Sequence, residues 1–128
     1  MSYYVSKLIA ASFADAIARA KAALATEGFG VLTEIDIAAT MQAKLGASMP
    51  PYVILGACNP KLAHEALQLE DKIGLMLPCN VIVQDKGGGH IEVAAIDPVA
   101  SMQAIDNAPL KQAAGVVQGK LRAAIASL

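Results

Sequence analysis

The stretch NVIVQDKGGGHIEVAAI, residues 80–96, predicts a β-hairpin and with it the fold class. Two segments rich in β-branched and aliphatic residues, Asn80–Gln84 and Ile91–Ile96, flank a turn formed by Asp85-Lys86-Gly87-Gly88-Gly89. Glycines between two such segments are typical of a turn that joins neighbouring strands. A hairpin makes its two strands antiparallel, so we expect a mostly antiparallel sheet.

Upstream of the hairpin, strand and helix patterns alternate. Ser12 predicts a helix start, with Asp15 three residues on as in a capping box, and Gly28 predicts its end. The near-continuous apolar run Tyr52–Cys58 predicts a central strand buried on both faces, and Asn59-Pro60 predicts the next helix start. The other predicted elements before residue 60 are strands over 3–9 and 30–37 and a helix over 37–45, capped by Asp36 and ended by Gly46.

Downstream, Asp97-Pro98 and Asn107-Ala108-Pro109 repeat the signal of a capping residue followed by proline. They predict a short helix that continues through Met102 to Ile105 and a terminal helix. Apolar residues at helical spacing predict the buried stripe of the terminal helix and that of the helix after Asn59-Pro60: Leu110, Ala114, Val117, Leu121 and Ile125 in the first, and Leu62, Ala66, Leu69 and Ile73 in the second. The order β-α-β-α-β-α-β-β-α-α predicts an α+β two-layer sandwich, with helices covering a mostly antiparallel sheet. Residues 1–128 form one predicted domain.

Composition excludes several function classes. The chain is 55% hydrophobic but only 4% aromatic, has no Trp, and carries a net charge of −1. Its ten basic residues are scattered, so we expect no nucleic-acid binding. No segment approaches the roughly 20 apolar residues that a membrane helix needs, so we expect a cytoplasmic protein without membrane contact. The aliphatic excess, at a mean hydropathy of +0.49, predicts a homodimer.

Both cysteines lie in similar motifs, Ala57-Cys58-Asn59-Pro60 and Pro78-Cys79-Asn80-Val81. Cys58 precedes a predicted helix cap, where the helix dipole favours a thiolate, so Cys58 is expected to be more acidic than Cys79. The alternative is that Cys58 is a small apolar residue buried at a strand end. The thiols of Cys58 and Cys79 can share a site only if their strands are antiparallel neighbours.

Other polar residues extend the candidate site. A metal would need more than two thiols, and the available donors are Glu34, His64, His90 and Glu92, with His64 one helical turn beyond the predicted cap. The metal candidate is therefore Cys58 and Cys79 with His64, although no CxxC or HxxxH spacing is present. Glu34 shares a strand face with Asp36 and is a candidate acid or base if that face is buried; the alternative is a solvated face.

The chain resembles the family of domain of unknown function 302 (DUF302), the TT1751-like proteins. The resemblance is carried by the segments Tyr52–Pro60, Ala63–Leu67, Leu77–Val81 and Asp97-Pro98 with Met102 following, supported by Gly28–Val31 and Glu34–Asp36. It implies a compact TBP-like α+β fold, usually a homodimer, with no established reaction. It also implies that a cysteine-dependent activity would belong to a branch of the family, because other members have the Asn-Pro pair without the cysteine.

Two function classes follow. The first is a homodimeric module that binds a small ligand or a metal near Cys58, Asn59, Cys79 and Asn80, with Glu34 or His64 close by. The second is a thiol-dependent redox protein or enzyme with Cys58 as nucleophile and Cys79 as resolving thiol; the absence of a CxxC pair and of an evident base argues against it. The sequence identifies no cofactor.

Overall fold

The computed structural model describes residues 2–128. Its strands are β1 (Tyr4–Ala10), β2 (Gly30–Asp36), β3 (Tyr52–Cys58), β4 (Cys79–Gly87) and β5 (His90–Ile96). Its α-helices are α1 (Phe13–Thr26), α2 (Ile37–Leu45), α3 (Pro60–Leu69), α4 (Pro98–Ser101) and α5 (Ala108–Ala126), and a 3₁₀ segment covers Asp71–Met76. The predicted order of strands and helices is confirmed.

The five strands form one sheet in the order β1-β5-β4-β3-β2, with every neighbouring pair antiparallel. The predicted hairpin is its centre: β4 and β5 pair from Val81 opposite Ala95 to the turn. Gly87, Gly88 and Gly89 all have positive φ, between 63° and 85°. Glycine adopts this left-handed backbone without steric cost, which is why three consecutive glycines form this turn.

One face of the sheet carries the main core. A typical row across this face runs Val5–Ala95–Val81–Leu55 through four neighbouring strands. These side chains pack with buried residues of α1 and α5, among them Leu24 and Leu121. The burial of this aliphatic layer is the dominant source of stability.

The apolar interior is divided into two clusters. The larger one combines the sheet with α1 and the C-terminal half of α5. The smaller one consists of Ala66, Ile73, Met102, Leu110 and Ala114, and joins α3, the 3₁₀ segment and α4 to the start of α5. The helices next to the end of the sheet where β3 ends and β4 begins therefore have a core of their own.

Asp97 fastens α4 to α5. Its carboxylate caps α4 by accepting hydrogen bonds from the backbone N–H groups of Val99 and Ala100, at 2.9 and 3.3 Å. Gln118 Nε2 donates to both carboxylate oxygens at 2.9 Å, and an Arg122 nitrogen lies 3.5 Å away. Burial pushes the pKa of Asp97 up, but the hydrogen bonds and the Arg122 charge outweigh it and leave the pKa below 3.8.

Three sequence predictions need correction. β3 is an interior strand, but Tyr52 and Ile54, on the face away from the main core, are only half-buried. The stripe predicted to run along α3 to Ile73 is interrupted: Glu70 is extended, at φ −150° and ψ 104°, and the 3₁₀ segment carries Ile73 into the core. The short helix α4 ends at Ser101 and does not reach Ile105.

Within residues 2–128, none of the helices combines the length and the apolar character needed to span a membrane.

Candidate functional site

An apolar cavity of about 300 Å³ lies between the two core clusters, at the end of the sheet where β3 ends and β4 begins. Its wall comes from the strand ends and from α3, α4 and α5. The lining residues are Phe29, Leu32, Ala57, Cys58, Asn59, Leu62, Ala63, Ala66, Leu67, Leu77, Pro78, Cys79, Pro98, Met102, Leu110, Ala113, Ala114 and Val117. Many of the lining positions on the helices are alanine, and these small side chains leave the gap between the clusters open.

Asn59 builds one corner of the cavity. It is the N-cap of α3, and its Oδ1 accepts a hydrogen bond from the backbone N–H of Leu62 at 3.3 Å. Its Nδ2 donates to the backbone carbonyl of Glu27, at 3.4 Å, and thereby ties α3 to the end of α1. Nδ2 also lies 3.0 Å from where a Cβ on Gly28 would stand. Both ends of the Asn59 amide thus have a structural partner, and its predicted capping role is confirmed.

Cys79 is a buried thiol at the start of β4, with 7% of its surface exposed. It is opposite Ala57 in the β3–β4 register and faces the helices with it. Burial, with a smaller contribution from the Cys58 thiolate, raises the pKa of Cys79 to about 11. Cys79 is therefore an uncharged, apolar part of the cavity wall at neutral pH.

Cys58 is half-buried at the end of β3 and borders the same cavity. Because β3 and β4 are antiparallel neighbours, the condition for bringing Cys58 and Cys79 to one end of the sheet is met. Successive residues of a strand alternate between the two sheet faces, however, so the strand position of Cys58 belongs to the face opposite to that of Ala57 and Cys79. Both cysteines are free thiols in the structure.

A β-bulge shapes the mouth of the cavity. The register of β2 against β3 shifts between Val31 and Thr33, which leaves Leu32 as the extra residue. Leu32 lines the cavity while 66% of its surface is exposed. Bulges commonly redirect a side chain next to a binding site, and this one turns Leu32 to the rim.

Three of the predicted site residues lie outside the cavity lining. Asn80 is exposed and, by alternation, on the sheet face opposite to Cys79. Glu34 is exposed at the edge of the sheet, where its Oε2 lies 2.9 Å from Lys21 Nζ of α1. His64 is exposed on α3, whereas Leu62, Ala63 and Ala66 of that helix border the cavity.

No group of three or more His, Cys, Asp or Glu side chains that could hold a metal occurs anywhere in the described part of the chain. The set Cys58, Cys79 and His64 is therefore not assembled as a metal centre. His90 is exposed at the hairpin, and Glu92 accepts a hydrogen bond from Gln84. What the structure brings together instead is an apolar space with two thiols.

The family model for the domain of unknown function DUF302 matches residues 5–128 of the chain. The chain belongs to this family. A crystal structure of an uncharacterized conserved DUF302 protein from Bacillus stearothermophilus has the same fold, with a TM-score of 0.90, 26% sequence identity and 98% of each chain covered. No curated protein matches the chain.

Most of this DUF302 cavity was not predicted from the sequence. Leu62, Ala66, Leu110 and Ala114 were predicted as buried stripes of two helices, which implies ordinary core packing. Only the distance between the two helices reveals that the stripes face a gap. The alanine content of the helices does not mark that space, because α3 has two alanines in 10 residues and α5 six in 19, fewer in proportion than the seven in 14 of α1, which packs on the sheet.

Proposed function

We propose that this protein binds a small, uncharged, apolar ligand in the cavity between its two core clusters. The observation that carries the proposal is the gap itself. Apolar side chains are normally covered by other protein atoms, and an open pocket of this size with apolar walls leaves that surface without a partner. A gap that separates two otherwise well-buried clusters is best explained by a ligand that completes the core.

The size of the cavity limits the ligand. Its volume of about 300 Å³ is at the lower end of the range for ligand sites. It is about twice the engineered ~150 Å³ cavity that takes benzene. A ligand of about ten to twelve carbon atoms, such as a bicyclic aromatic compound or a medium-length alkyl chain, suits that space.

The lining argues for an uncharged ligand. Among the cavity residues of the described chain there is no Lys, Arg, Asp, Glu or His. The side-chain amide of Asn59 donates to Glu27 and accepts from Leu62, which leaves one N–H and one lone pair, so it can offer a ligand a hydrogen bond but no charge. A buried charge without a partner costs several kcal/mol, so a charged head group would have to remain outside.

The test is the binding of 1-naphthylamine, an uncharged bicyclic probe of ten carbon atoms whose fluorescence changes in apolar surroundings. We expect saturable binding with about one site per chain, displaced by 1-decanol. Ala114→Leu places a larger side chain in the cavity and should weaken binding at least tenfold. Ala123→Leu, on the exposed side of the same helix α5, is the matched control and should bind like wild type. Equal binding by both variants would contradict the proposal.

The second part of the proposal is a homodimer formed through the sheet face opposite to the main core. The side-chain rows that cross this face are Tyr4–Ile96, Ser6–Ala94–Ile82–Ile54–Ile35 and Leu8–Glu92–Gln84–Tyr52. Two apolar side chains of this face are exposed to solvent, Leu8 by 55% and Ile35 by 45%. Glu92 is the only charged residue in these rows, and Gln84 Nε2 donates to it at 3.0 Å.

The face is large enough for a second copy of the chain. Five strands about 4.8 Å apart, each about 23 Å long, span roughly 550 Å², so two copies would bury about 1,100 Å². A specific interface needs about 1,000 Å² or more. Because the face is almost uncharged, it can pack against itself without repulsion between like charges.

Sedimentation equilibrium at micromolar concentration tests the dimer. We expect wild type to be a dimer and Leu8→Lys to be a monomer. The introduced ammonium group would lose its hydration in the interface, whereas in the monomer Glu92, opposite position 8 on β5, supports it. Leu75→Lys, at an 85% exposed leucine of the 3₁₀ segment, is the control and should remain a dimer. A monomeric wild type, or a dimer unaffected by Leu8→Lys, would contradict this interface.

The alternative with Cys79 as a resolving thiol is not favoured. A resolving thiol must reach its partner sulfur and attack as a thiolate. Cys79 starts on the other face of the sheet from Cys58, and its pKa of about 11 keeps it protonated at neutral pH.

A further inference from the structure

We propose that the sheet face opposite to the main core carries a second binding site, for an organic amine with an aromatic ring two or three carbons from its ammonium group. The site is an open hollow of about 400 Å³ over Ala94, with Glu92 as the partner of the ammonium group. The hollow shares no lining residue with the cavity, so the two sites are separate.

The hollow forms because one residue of the face is small. Ala94 of β5 lies beside Ile82 of β4 in the central row of the face, and it is buried. The larger and more exposed side chains of Tyr4 and Tyr52 border the same space. A buried alanine between larger neighbours makes an apolar floor, which suits a flat aromatic ring.

Glu92 gives the hollow its charge. It is the only charged residue among those that border the hollow. Gln84 Nε2 donates to Glu92 Oε1 at 3.0 Å, and within residues 2–128 no ion pair involves this carboxylate. The second oxygen, Oε2, is therefore free to accept a charge-assisted hydrogen bond from an ammonium group.

The strand register sets the distance between the charge and the ring. Glu92 and Ala94 are two residues apart on β5 and share a face, so their Cα atoms are about 7 Å apart. The nitrogen of extended 3-phenylpropylamine lies at a similar distance from its ring centre. The tyrosines at the border suit both parts of such a ligand, because their rings attract aromatic rings and cations alike.

The hollow lies on the face that we propose for the dimer, and only the following step rests on that proposal. A second copy of the chain would cover Glu92 without supplying a cation, and an unpaired carboxylate is costly to bury. A bound amine pairs with the carboxylate and fills the hollow. We therefore expect saturating amine to lower the dissociation constant of the dimer by at least about threefold.

Isothermal titration calorimetry at pH 7 tests the site, with 3-phenylpropylamine as the probe and 3-phenyl-1-propanol as its uncharged analogue. Both are measured in Ala114→Leu, in which the cavity is filled. We expect about one amine per chain, bound about fivefold more tightly than the alcohol. The added change Glu92→Gln should remove this preference. Glu34→Gln is the matched control, because Glu34 is a strand glutamate already paired with Lys21, and it should bind like the parent.

A second variant tests the hollow itself. Ala94→Ile fills the space with a side chain that suits a strand, and should abolish saturable binding of the amine. Far-ultraviolet circular dichroism checks that this variant keeps its fold. Equal binding of amine and alcohol, a preference that survives Glu92→Gln, or unchanged binding by folded Ala94→Ile would overturn the inference.

Sedimentation equilibrium with and without the amine separates this site from the proposed dimer. A wild type that is monomeric in both solutions but binds the amine through Glu92 would refute the dimer and support the site. A dimer that binds no amine would refute the site and support the dimer.

Discussion

Filling the cavity should stabilise the protein, and Ala114→Leu is the substitution that shows it most directly. Ala114 lies in the middle of α5, is 3% exposed and borders the cavity. In a closely packed core, a larger side chain forces its neighbours apart and costs about 1–3 kcal/mol. Here the three added carbons enter a space of about 300 Å³, so the sign of the change should be reversed.

The magnitude follows from burial and entropy. Three carbons at about 0.8 kcal/mol each contribute roughly 2.4 kcal/mol. Ordering the leucine side chain costs about 0.5–1 kcal/mol, which leaves a gain of about 1.5 kcal/mol in the free energy of unfolding. For a domain of this size, such a gain raises Tm by about 5 °C.

Urea denaturation and thermal melting, both at one fixed protein concentration, measure this change. Ala123→Leu is the control, because residue 123 is exposed on the same helix and should change stability by less than about 0.5 kcal/mol. If Ala114→Leu is destabilised by 1 kcal/mol or more while Ala123→Leu is unchanged, the cavity does not exist as an open space in solution. That result would remove the basis of the proposed function.

Three further predictions concern the surroundings of the cavity. Gly56→Ala should lower the free energy of unfolding by about 1–3 kcal/mol, because the added Cβ would stand 2.9 Å from Pro78 Cγ and even closer to Thr33 Oγ1. Gly115→Ala on α5, where a Cβ would meet nothing within 4 Å, should raise it by about 0.5–1 kcal/mol. Changes of the same sign for both variants in urea denaturation would refute this. The pKa of Asp97 is lower in the folded state than in the unfolded chain, so the ionised carboxylate stabilises the fold above about pH 4. This contribution declines as the pH falls from the pKa of Asp97 in the unfolded chain towards its pKa in the folded state. Wild type should therefore lose unfolding free energy more steeply than Asp97→Asn below pH 4, and equal slopes would count against the network. In Cys58→Ser, iodoacetamide should alkylate Cys79 slowly at pH 8 and about tenfold faster with each added pH unit up to about 11; a plateau near pH 9 would show that Cys79 is not held in a buried environment.

The local signals in the sequence predicted the helix starts and the central hairpin well. Asn59, Asp97 and Asn107 each cap a helix in the structure, with side-chain oxygens that accept from backbone N–H groups two or three residues on. The end of α3 was predicted less well. The stripe from Leu62 to Ile73 has helical spacing throughout, but the chain must turn at Glu70 to return to the sheet at Cys79.

The candidate site was predicted only in part. Cys58, Asn59 and Cys79 all border the cavity, because adjacent antiparallel strands bring the end of β3 and the start of β4 together. Asn80 follows Cys79 directly and yet lies on the other face, since neighbouring residues of a strand alternate. Glu34 and His64 are residue types that often occur in functional sites, but both lie outside the cavity. Glu34 pairs with Lys21, and His64 lies on the solvent-facing side of α3.

The sequence by itself determined the elements of this protein, their order and the antiparallel hairpin at the centre of the sheet. These features depend on interactions between residues two to four positions apart, such as a capping asparagine or a turn of three glycines. Only the tertiary structure decided that the cysteines start on opposite sheet faces and that the apolar stripes of α3 and α5 face a gap. Those features depend on strand register and on the separation of helices about 50 residues apart in the chain, and no local pattern of side chains specifies either.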